Sequence, residues 1–268
     1  MTPAEREAAA GALFQAEATG RQIGLLSRAY PGMTLEDAYG VQAALVAKKR
    51  AAGARGIGWK IGLTSRAMQD ALKIDTPDSG VLFDDMLFAD GAEVPLRRFI
   101  QPRIEAEIAF VMRAPLAGAG VTREAVLAAT AAVAPALEIL DTRILRADPA
   151  TGALRVVTDT ISDNAANAGI VLGPQRHDPR AVDLRRVGVI VKRDGVVEET
   201  GLGAGVLDDP VTGVVWLVQR LAQLGLGLAA GEVVLSGSFI RPVEAPPGSA
   251  FDADFGSFGR VCLTFAQG

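Results

Sequence analysis

Three glutamates and a lysine are the residues whose type and spacing could do chemistry. Glu105 and Glu107 lie in the run Arg103-Ile104-Glu105-Ala106-Glu107-Ile108. Side chains of a strand alternate faces, so the two acids share one face while Ile104, Ala106 and Ile108 share the other. Two carboxylates about 7 Å apart along a strand repel each other unless something positive sits between them. Glu138 is embedded in Ala136-Leu137-Glu138-Ile139-Leu140, and an acid in an apolar run is costly to bury without a partner. Three carboxylates on two strands could supply a hard dication, Mg²⁺ or Mn²⁺, and leave coordination positions for water or a chelating substrate. Pattern alone favours the plainer reading. E-x-E strands are commonplace, and Glu105 and Glu107 then form a solvated face, with Glu138 at a strand end.

Lys60 stands in Gly58-Trp59-Lys60-Ile61-Gly62. It shares its strand face with two glycines, in cleared space that a ligand could approach. A lysine near a dication in a desolvated pocket can have a lowered pKa and act as acid or base, although lysine also commonly protects a sheet edge. Pro77-Asp78-Ser79-Gly80 reads as a tight turn whose aspartate bonds the local backbone. The run from Asp159 to Asn167 is dense in short polar groups; a helix cap is its default reading and a substrate-binding loop the alternative. Gly201-Leu202-Gly203-Ala204-Gly205 lacks the G-x-G-x-x-G spacing and follows one arm of a hairpin, so it is discounted as a nucleotide loop.

Composition narrows the chemistry further. The single cysteine, Cys262, excludes internal disulfides and cysteine-rich zinc sites, and its place in the last strand reads as inert filling. The single histidine, His177, excludes HExxH zinc sites and sits in a polar loop facing solvent. Any catalysis must therefore rest on carboxylates, lysine, hydroxyls or a metal held by oxygen. A net charge of −4 argues against a nucleic-acid or anionic-membrane surface. The N-terminus carries charges of both signs, and the longest uncharged apolar run is too short to span a bilayer, so a cytoplasmic protein is expected.

The elements that must position these groups are legible in outline. Residues 1–55 read as an N-terminal helical part and 56–268 as the catalytic domain. Thr2-Pro3-Ala4-Glu5 is a capping-box pattern, and a second helix starts at Thr34 with Asp37 three residues on, ending near Gly53. Strands are expected over Ile57–Leu63, Ile104–Val111, Ala136–Asp141, Val187–Lys192, Val196–Glu199, Val233–Ser236 and Arg260–Phe265. Asp194-Gly195 marks a two-residue hairpin. Helices are expected over Thr122–Ala134, stopped by Pro135, and over Val211–Leu224, stopped by Gly225. Helices mixed irregularly with strands indicate an α+β fold.

Five segments together carry a resemblance: Lys60 through Ser65, Pro77 through Leu82, Pro102 through Glu107, Pro135 through Glu138, and Asp159 through Gly169. They resemble the metal-dependent hydratases and decarboxylases of meta-cleavage pathways, relatives of fumarylacetoacetate hydrolase. The resemblance runs from about Thr34 to the C-terminus. It implies a mixed β-sheet roll or sandwich with an N-terminal helical part, assembled into homo-oligomers and open to complexes with a neighbouring pathway enzyme. It also implies that Glu105, Glu107 and Glu138 hold Mg²⁺ or Mn²⁺, which reverses the reading from pattern. Lys60 and Asp78 match positions of acid/base work, and Ser162, Asn164 and Ser238 positions near substrate. The implied activity is hydration of a 2-oxo-alkenoic acid. The Asp159–Gly169 and Glu198–Gly201 segments favour a diacid, 2-oxohept-4-ene-1,7-dioate going to 4-hydroxy-2-oxoheptanedioate, for whose far carboxylate Arg103 and Arg241 are the available cations. Hydration of 2-oxopent-4-enoate and decarboxylation of the 4-oxalocrotonate type are alternatives. A non-catalytic partner of such an enzyme is another, against which the intact Lys60 and glutamates argue. The chain departs from similar enzymes at Asp208-Asp209-Pro210, where they have Asn-His-Pro, and at Ile240, where they have threonine.

Overall fold

A computed structural model describes residues 1–66, 69, 74 and 76–267. Three helices open the chain: α1 (Pro3–Thr19), α2 (Leu26–Ala29) and α3 (Leu35–Ala51). Both predicted capping boxes form. Thr2 accepts from the Glu5 amide and Thr34 from the Asp37 amide, with each acid reaching back to its cap. The three helices bury their own apolar cluster around Leu13, Leu26, Val41 and Leu45, which reaches Ile144 in the later chain.

Behind this layer stand two sheets. The larger comprises β1 (Gly56–Gly62), β2 (Asp78–Phe83), β3 (Leu87–Phe88), β5 (Arg103–Met112), β6 (Thr130–Leu140), β7 (Asn167–Leu172), β10 (Val233–Ser238) and β11 (Val243–Glu244). Their order is β2-β1-β10-β5-β6-β7-β3, with β11 added on β5. The smaller sheet comprises β4 (Glu93–Val94), β8 (Gly188–Arg193), β9 (Val196–Leu202), β12 (Ala250–Asp254) and β13 (Arg260–Phe265), ordered β4-β13-β12-β8-β9. Ile104, Ala106, Ile108 and Phe110 of β5 pack into one core with Val191, Phe251 and Leu263 of the smaller sheet. Helix α6 (Pro210–Gln223) adds Val214 and Leu217 to that core. This is the mixed-sheet α+β architecture that the resemblance implied. No helix of the described residues is long and apolar enough to cross a membrane.

Period-2 burial fixes which face of β5 looks inward. With the isoleucines committed to the core between the sheets, Arg103, Glu105 and Glu107 must face the other way. Ala109 and Ala136 share that second face with Leu235 and Val46, so most of it is dry and closed by α3. The acids occupy the end that the apolar cluster leaves.

Several expectations need correction. The helix predicted over Thr122–Ala134 spans only Arg123–Ala129, as α4. Thr130 to Leu140 is one strand paired along its length with β5. Alanine-rich sequence favours helix locally, but burial between two partner strands outweighs that preference. Pro135 sits inside this strand: its carbonyl accepts from Gly173 at 2.8 Å, and its missing N–H falls where β7 has already ended. The supposed turn at Asp78 is instead a buried strand, with Asp78 opposite Gly62. Asp194-Gly195 makes the expected hairpin, both residues at positive φ. His177 is half-buried, stacked on Phe258 with 4.6 Å between ring centroids, and its Nε2 is 2.7 Å from the Phe258 carbonyl. It serves as a peg between loop and sheet. Cys262 is half-exposed on the outer face of β13, opposite the buried Val261 and Leu263.

Gly58 lies at the bulge in the β1–β2 pairing and opposite Val233 of β10. A Cβ there would stand 1.9 Å from the Val233 carbonyl oxygen, on a φ of +152°. Gly58→Ala should therefore cost about 2 kcal/mol or more, lowering the melting temperature by at least about 4 °C. An unchanged thermal transition would show that β1 is not held this tightly.

Candidate metal and acid–base site

Adjacent strands bring the chemistry-bearing residues to one place. Glu105 and Glu138 are direct cross-strand partners of β5 and β6, and Glu107 lies two residues along β5 on the same face. One carboxylate oxygen from each of the three lies within 4.8 Å of the others. Glu107 and Glu138 are fully buried, and Glu105 is half-buried. The solvated-face reading therefore fails. Lys60, on β1, reaches Glu138 Oε1 at 3.3 Å, and Asp78 flanks it from β2. A Cβ on Gly62 would lie 2.2 Å from Asp78 Oδ1 and 3.1 Å from Lys60 Nζ, so this glycine clears the room in which acid and ammonium meet.

Backbone groups complete the site. The Gly237 amide, at the bulge of β10, donates to Glu107 Oε2 at 2.7 Å. Lys60 Nζ donates to the Ala165 carbonyl at 3.1 Å, and Asn167 Nδ2 to Glu138 Oε1 at 2.8 Å. Ala165 and Asn167 are presented by an unusual turn. Asn164, Ala165 and Ala166 all have φ between 51° and 58°, a conformation that costs non-glycine residues about 1–2 kcal/mol each. Two clamps offset that strain. The Asn164 side chain accepts from the Val81 amide (2.8 Å) and donates to the Val81 carbonyl (2.9 Å), as a pairing strand would. Buried Arg143 donates to Asp163 Oδ1 (2.5 Å), the Asp163 carbonyl (2.7 Å) and the Asn167 carbonyl (3.2 Å), gripping both ends of the turn.

Comparisons with known proteins identify the relatives of the chain. No family model matches. The chain is 49% identical over 94% of its length to a 2-oxo-hept-4-ene-1,7-dioate hydratase of Escherichia coli, 95% of which is covered. It is 41% identical over 99% of its length to a 2-keto-4-pentenoate hydratase of Paraburkholderia xenovorans (strain LB400), covering 96% of that protein. The 4-oxalocrotonate decarboxylase from Pseudomonas putida G7, complexed with magnesium and adipate, superposes with a TM-score of 0.92 at 33% identity, covering 99% of this chain and 98% of that one. The chain belongs to the hydratase and decarboxylase branch of the fumarylacetoacetate hydrolase superfamily.

The substrate-side residues suggested by likeness to this branch do not all gather at the carboxylates. Ser162, at the end of α5 (Val157–Ser162), donates its hydroxyl to the Thr158 carbonyl at 2.7 Å. Asn164 is the latch described above. Ser238 lies opposite Glu107 in register, while its hydroxyl bonds the Ile240 backbone. Arg241 pairs with Glu199 at 2.6 Å and its side chain is 80% exposed. Arg103 shares the Glu105 face. The departures from related sequences have local explanations. Asp209 caps α6 by accepting from the Val211 amide at 3.0 Å, and exposed Asp208 pairs with Arg66 at 3.3 Å. The discounted glycines are packing glycines, since Cβ atoms at Gly201 and Gly203 would strike the Phe239 and Leu184 carbonyls. Sequence reasoning passed over Gly237, Ala165 and Arg143, two of which act through backbone atoms that residue type cannot advertise.

Four carboxylates surround one ammonium, so the described site holds a surplus of buried negative charge. Burial raises the Glu105 pKa, Glu138 adds to this, and Lys60 and Arg103 only partly oppose it, leaving Glu105 at about 8. Glu107 is pushed well above its ordinary value by burial, then by Glu138 and Glu105. Asp78 rises to about 6 by burial, against the pull of Lys60. The lowered lysine pKa expected from sequence is not found. Burial does pull Lys60 down, but Glu138, Asp78, Glu105 and Glu107 outweigh it and hold the ammonium above its usual value. Glu107 Oε1 and Glu138 Oε2 are buried without a hydrogen-bond partner among the described residues. Oxygen donors of this hardness, unpartnered and mutually repelling, fit a hard divalent cation.

Carboxyls whose folded pKa lies above the unfolded value bind extra protons in the native state, so stability falls as pH rises between the two values. The metal-free protein should lose melting temperature from about pH 5 to about pH 8 as Glu105 and Asp78 ionise, and Mg²⁺ should flatten that slope while releasing protons. Thermal melts in EDTA and in Mg²⁺ check this. Parallel, level curves would contradict a buried carboxylate surplus.

Proposed function

We propose that the chain hydrates a 2-oxo-alkenoic acid in aromatic degradation, converting 2-oxohept-4-ene-1,7-dioate to 4-hydroxy-2-oxoheptanedioate with Mg²⁺ or Mn²⁺ held by Glu105, Glu107 and Glu138. The observation that carries this reading is the Lys60 ammonium set between a carboxylate triad and a buried aspartate of raised pKa. The 49% identity to the Escherichia coli hydratase supports the choice of acid.

A divalent ion at the triad supplies a Lewis-acid electron sink for the 2-oxo group. The residues of the chain handle the protons. Asp78, titrating near 6, can both accept and donate at neutral pH. Lys60 stands between Asp78 and Glu138 as a fixed cation, oriented by the Ala165 carbonyl. In the net reaction a proton leaves C3 and one reaches C5, which brings the double bond into conjugation. Water oxygen then bonds to C4 and its proton goes to C3. Asp78 serves as the exchanging group, and Lys60 holds developing negative charge on the substrate. The sheet beneath and α3 beyond keep this face dry, which strengthens each of these interactions.

Decarboxylation of a 2-oxo-enedioate is the second reading, favoured by the TM-score of 0.92 to the Pseudomonas putida G7 decarboxylase. One assay separates the two: CO₂ release against loss of the absorbance of the substrate's enol form, the conjugated 2-hydroxy-2,4-dienedioate, without it. Loss of the chromophore with no CO₂ is expected, and stoichiometric CO₂ would select the decarboxylase.

Glu105→Gln should abolish turnover and weaken Mg²⁺ binding while leaving the fold intact. Full activity in excess chelator, with metal loss confirmed by elemental analysis, would sink the metal role. Lys60→Met should cut kcat by about 10²-fold or more with a smaller change in Mg²⁺ affinity. An unaltered rate would remove Lys60 from the mechanism.

A further inference from the structure

We propose that Arg103 and Arg155 form the seat for a second carboxylate, so that the substrate site selects diacids by their far end. This rests on the reading of the triad as the place where the 2-oxo acid end binds.

Arg103 precedes Glu105 by two residues on β5 and shares its face, on the side away from Glu107. That step measures about 7 Å, roughly the length of a seven-carbon diacid beyond its 2-oxo end. Arg155 lies on the returning arm of a loop whose backbone is fixed to Arg146, the Arg155 amide donating to the Arg146 carbonyl at 2.9 Å. Both arginines are half-buried. Arg103 Nε and Arg155 Nη1 are buried atoms with no hydrogen-bond partner among the described residues. A buried guanidinium N–H left unpaired is costly, and a carboxylate is the group its fork geometry fits.

Apart from Glu105 of the triad, the acids nearby are already engaged. Asp163 is taken by Arg143 at 2.5 Å, and Glu244, opposite Arg103 in register, by Arg146 at 2.7 Å. Asp141 accepts from the Ile100 and Gln101 amides, and Asp159 from Ser27 and Val156. Burial pulls the Arg155 pKa down; Asp163 opposes this, and the charges of Arg103 and Arg146 add to it. An arginine pair with unpartnered N–H groups thus stands beside the carboxylate triad, Arg103 one strand step from Glu105. The two together match an acid with a metal-chelating head and an anionic tail. Arg241, exposed and held by Glu199, does not belong to this seat.

Two measurements on the full-length Mg²⁺-loaded protein test the seat. Calorimetry with adipate and hexanoate, which differ by one carboxylate, should show adipate binding about 30-fold or more tighter. Arg155→Met should erase most of that preference, and Arg155→Lys should restore part of it. Kinetics on 2-oxohept-4-ene-1,7-dioate and 2-oxopent-4-enoate should show Arg155→Met losing kcat/KM about 30-fold or more for the diacid, mainly through KM, with the monoacid within about twofold. Equal losses on both acids, or no adipate preference in the unaltered protein, would overturn the seat. Adipate preference without turnover of either acid would leave the seat standing and sink the proposed hydration instead.

Discussion

Three glutamates and an aspartate share a largely water-free region with one ammonium, and the rest of the site is arranged around that imbalance. Like charges directly across a strand pair destabilise a sheet, and Glu105 faces Glu138 in that way. Buried acids can respond by binding protons, by pairing or by holding a cation. In the chain by itself, protons do part of this, as the raised pKa values of Glu105, Glu107 and Asp78 show. Lys60 and the Gly237 amide do another part. What they leave unmet at the triad, the orphaned Glu107 Oε1 and Glu138 Oε2, matches the demand of a hard dication. A cation held there would link its binding to folding through the same groups.

The sheet is what makes such an arrangement affordable. One face of β5 carries Ile104, Ala106, Ile108 and Phe110 into the core between the sheets, and that burial stabilises the strand whatever its other face carries. The acids thus ride on a scaffold anchored from behind. Rigidity matters equally at the front, where Ala165 and Asn167 must meet Lys60 and Glu138. A left-handed turn of three non-glycine residues persists only when its surroundings determine it, and here the Asn164 latch and the Arg143 grip do so. Arg143 and Asp163 form a buried ion pair whose role is geometric: the pair fixes a backbone that has no intrinsic preference for its conformation.

Much of this was legible from residue order. Both capping boxes, the Asp194-Gly195 hairpin and strands β1, β5, β8, β10 and β13 follow from local rules, because capping, turn chemistry and period-2 alternation act over a few residues. The pairing of Glu105 with Glu107 on one face follows too. Alternation does not say which face is wet, however, and pattern favoured solvent. Local rules failed where tertiary partners overrode them: the alanine-rich start of β6 pairs with β5 against its helical preference, and Asp78 lies in a buried strand against a turn signal.

Sequence by itself thus determined which groups could do the chemistry, since one histidine and one cysteine leave only oxygen donors and lysine, and it placed two of the acids on a common face. Tertiary structure alone decided that Glu138 from the neighbouring strand closes on them, that Lys60 is held charged between four acids, and that the Ala165 carbonyl and the Gly237 amide belong to the site. The physical reason is range. Backbone spacing and capping are set by neighbours in the chain, whereas burial, charge coupling and the use of main-chain atoms depend on strands that meet only after folding.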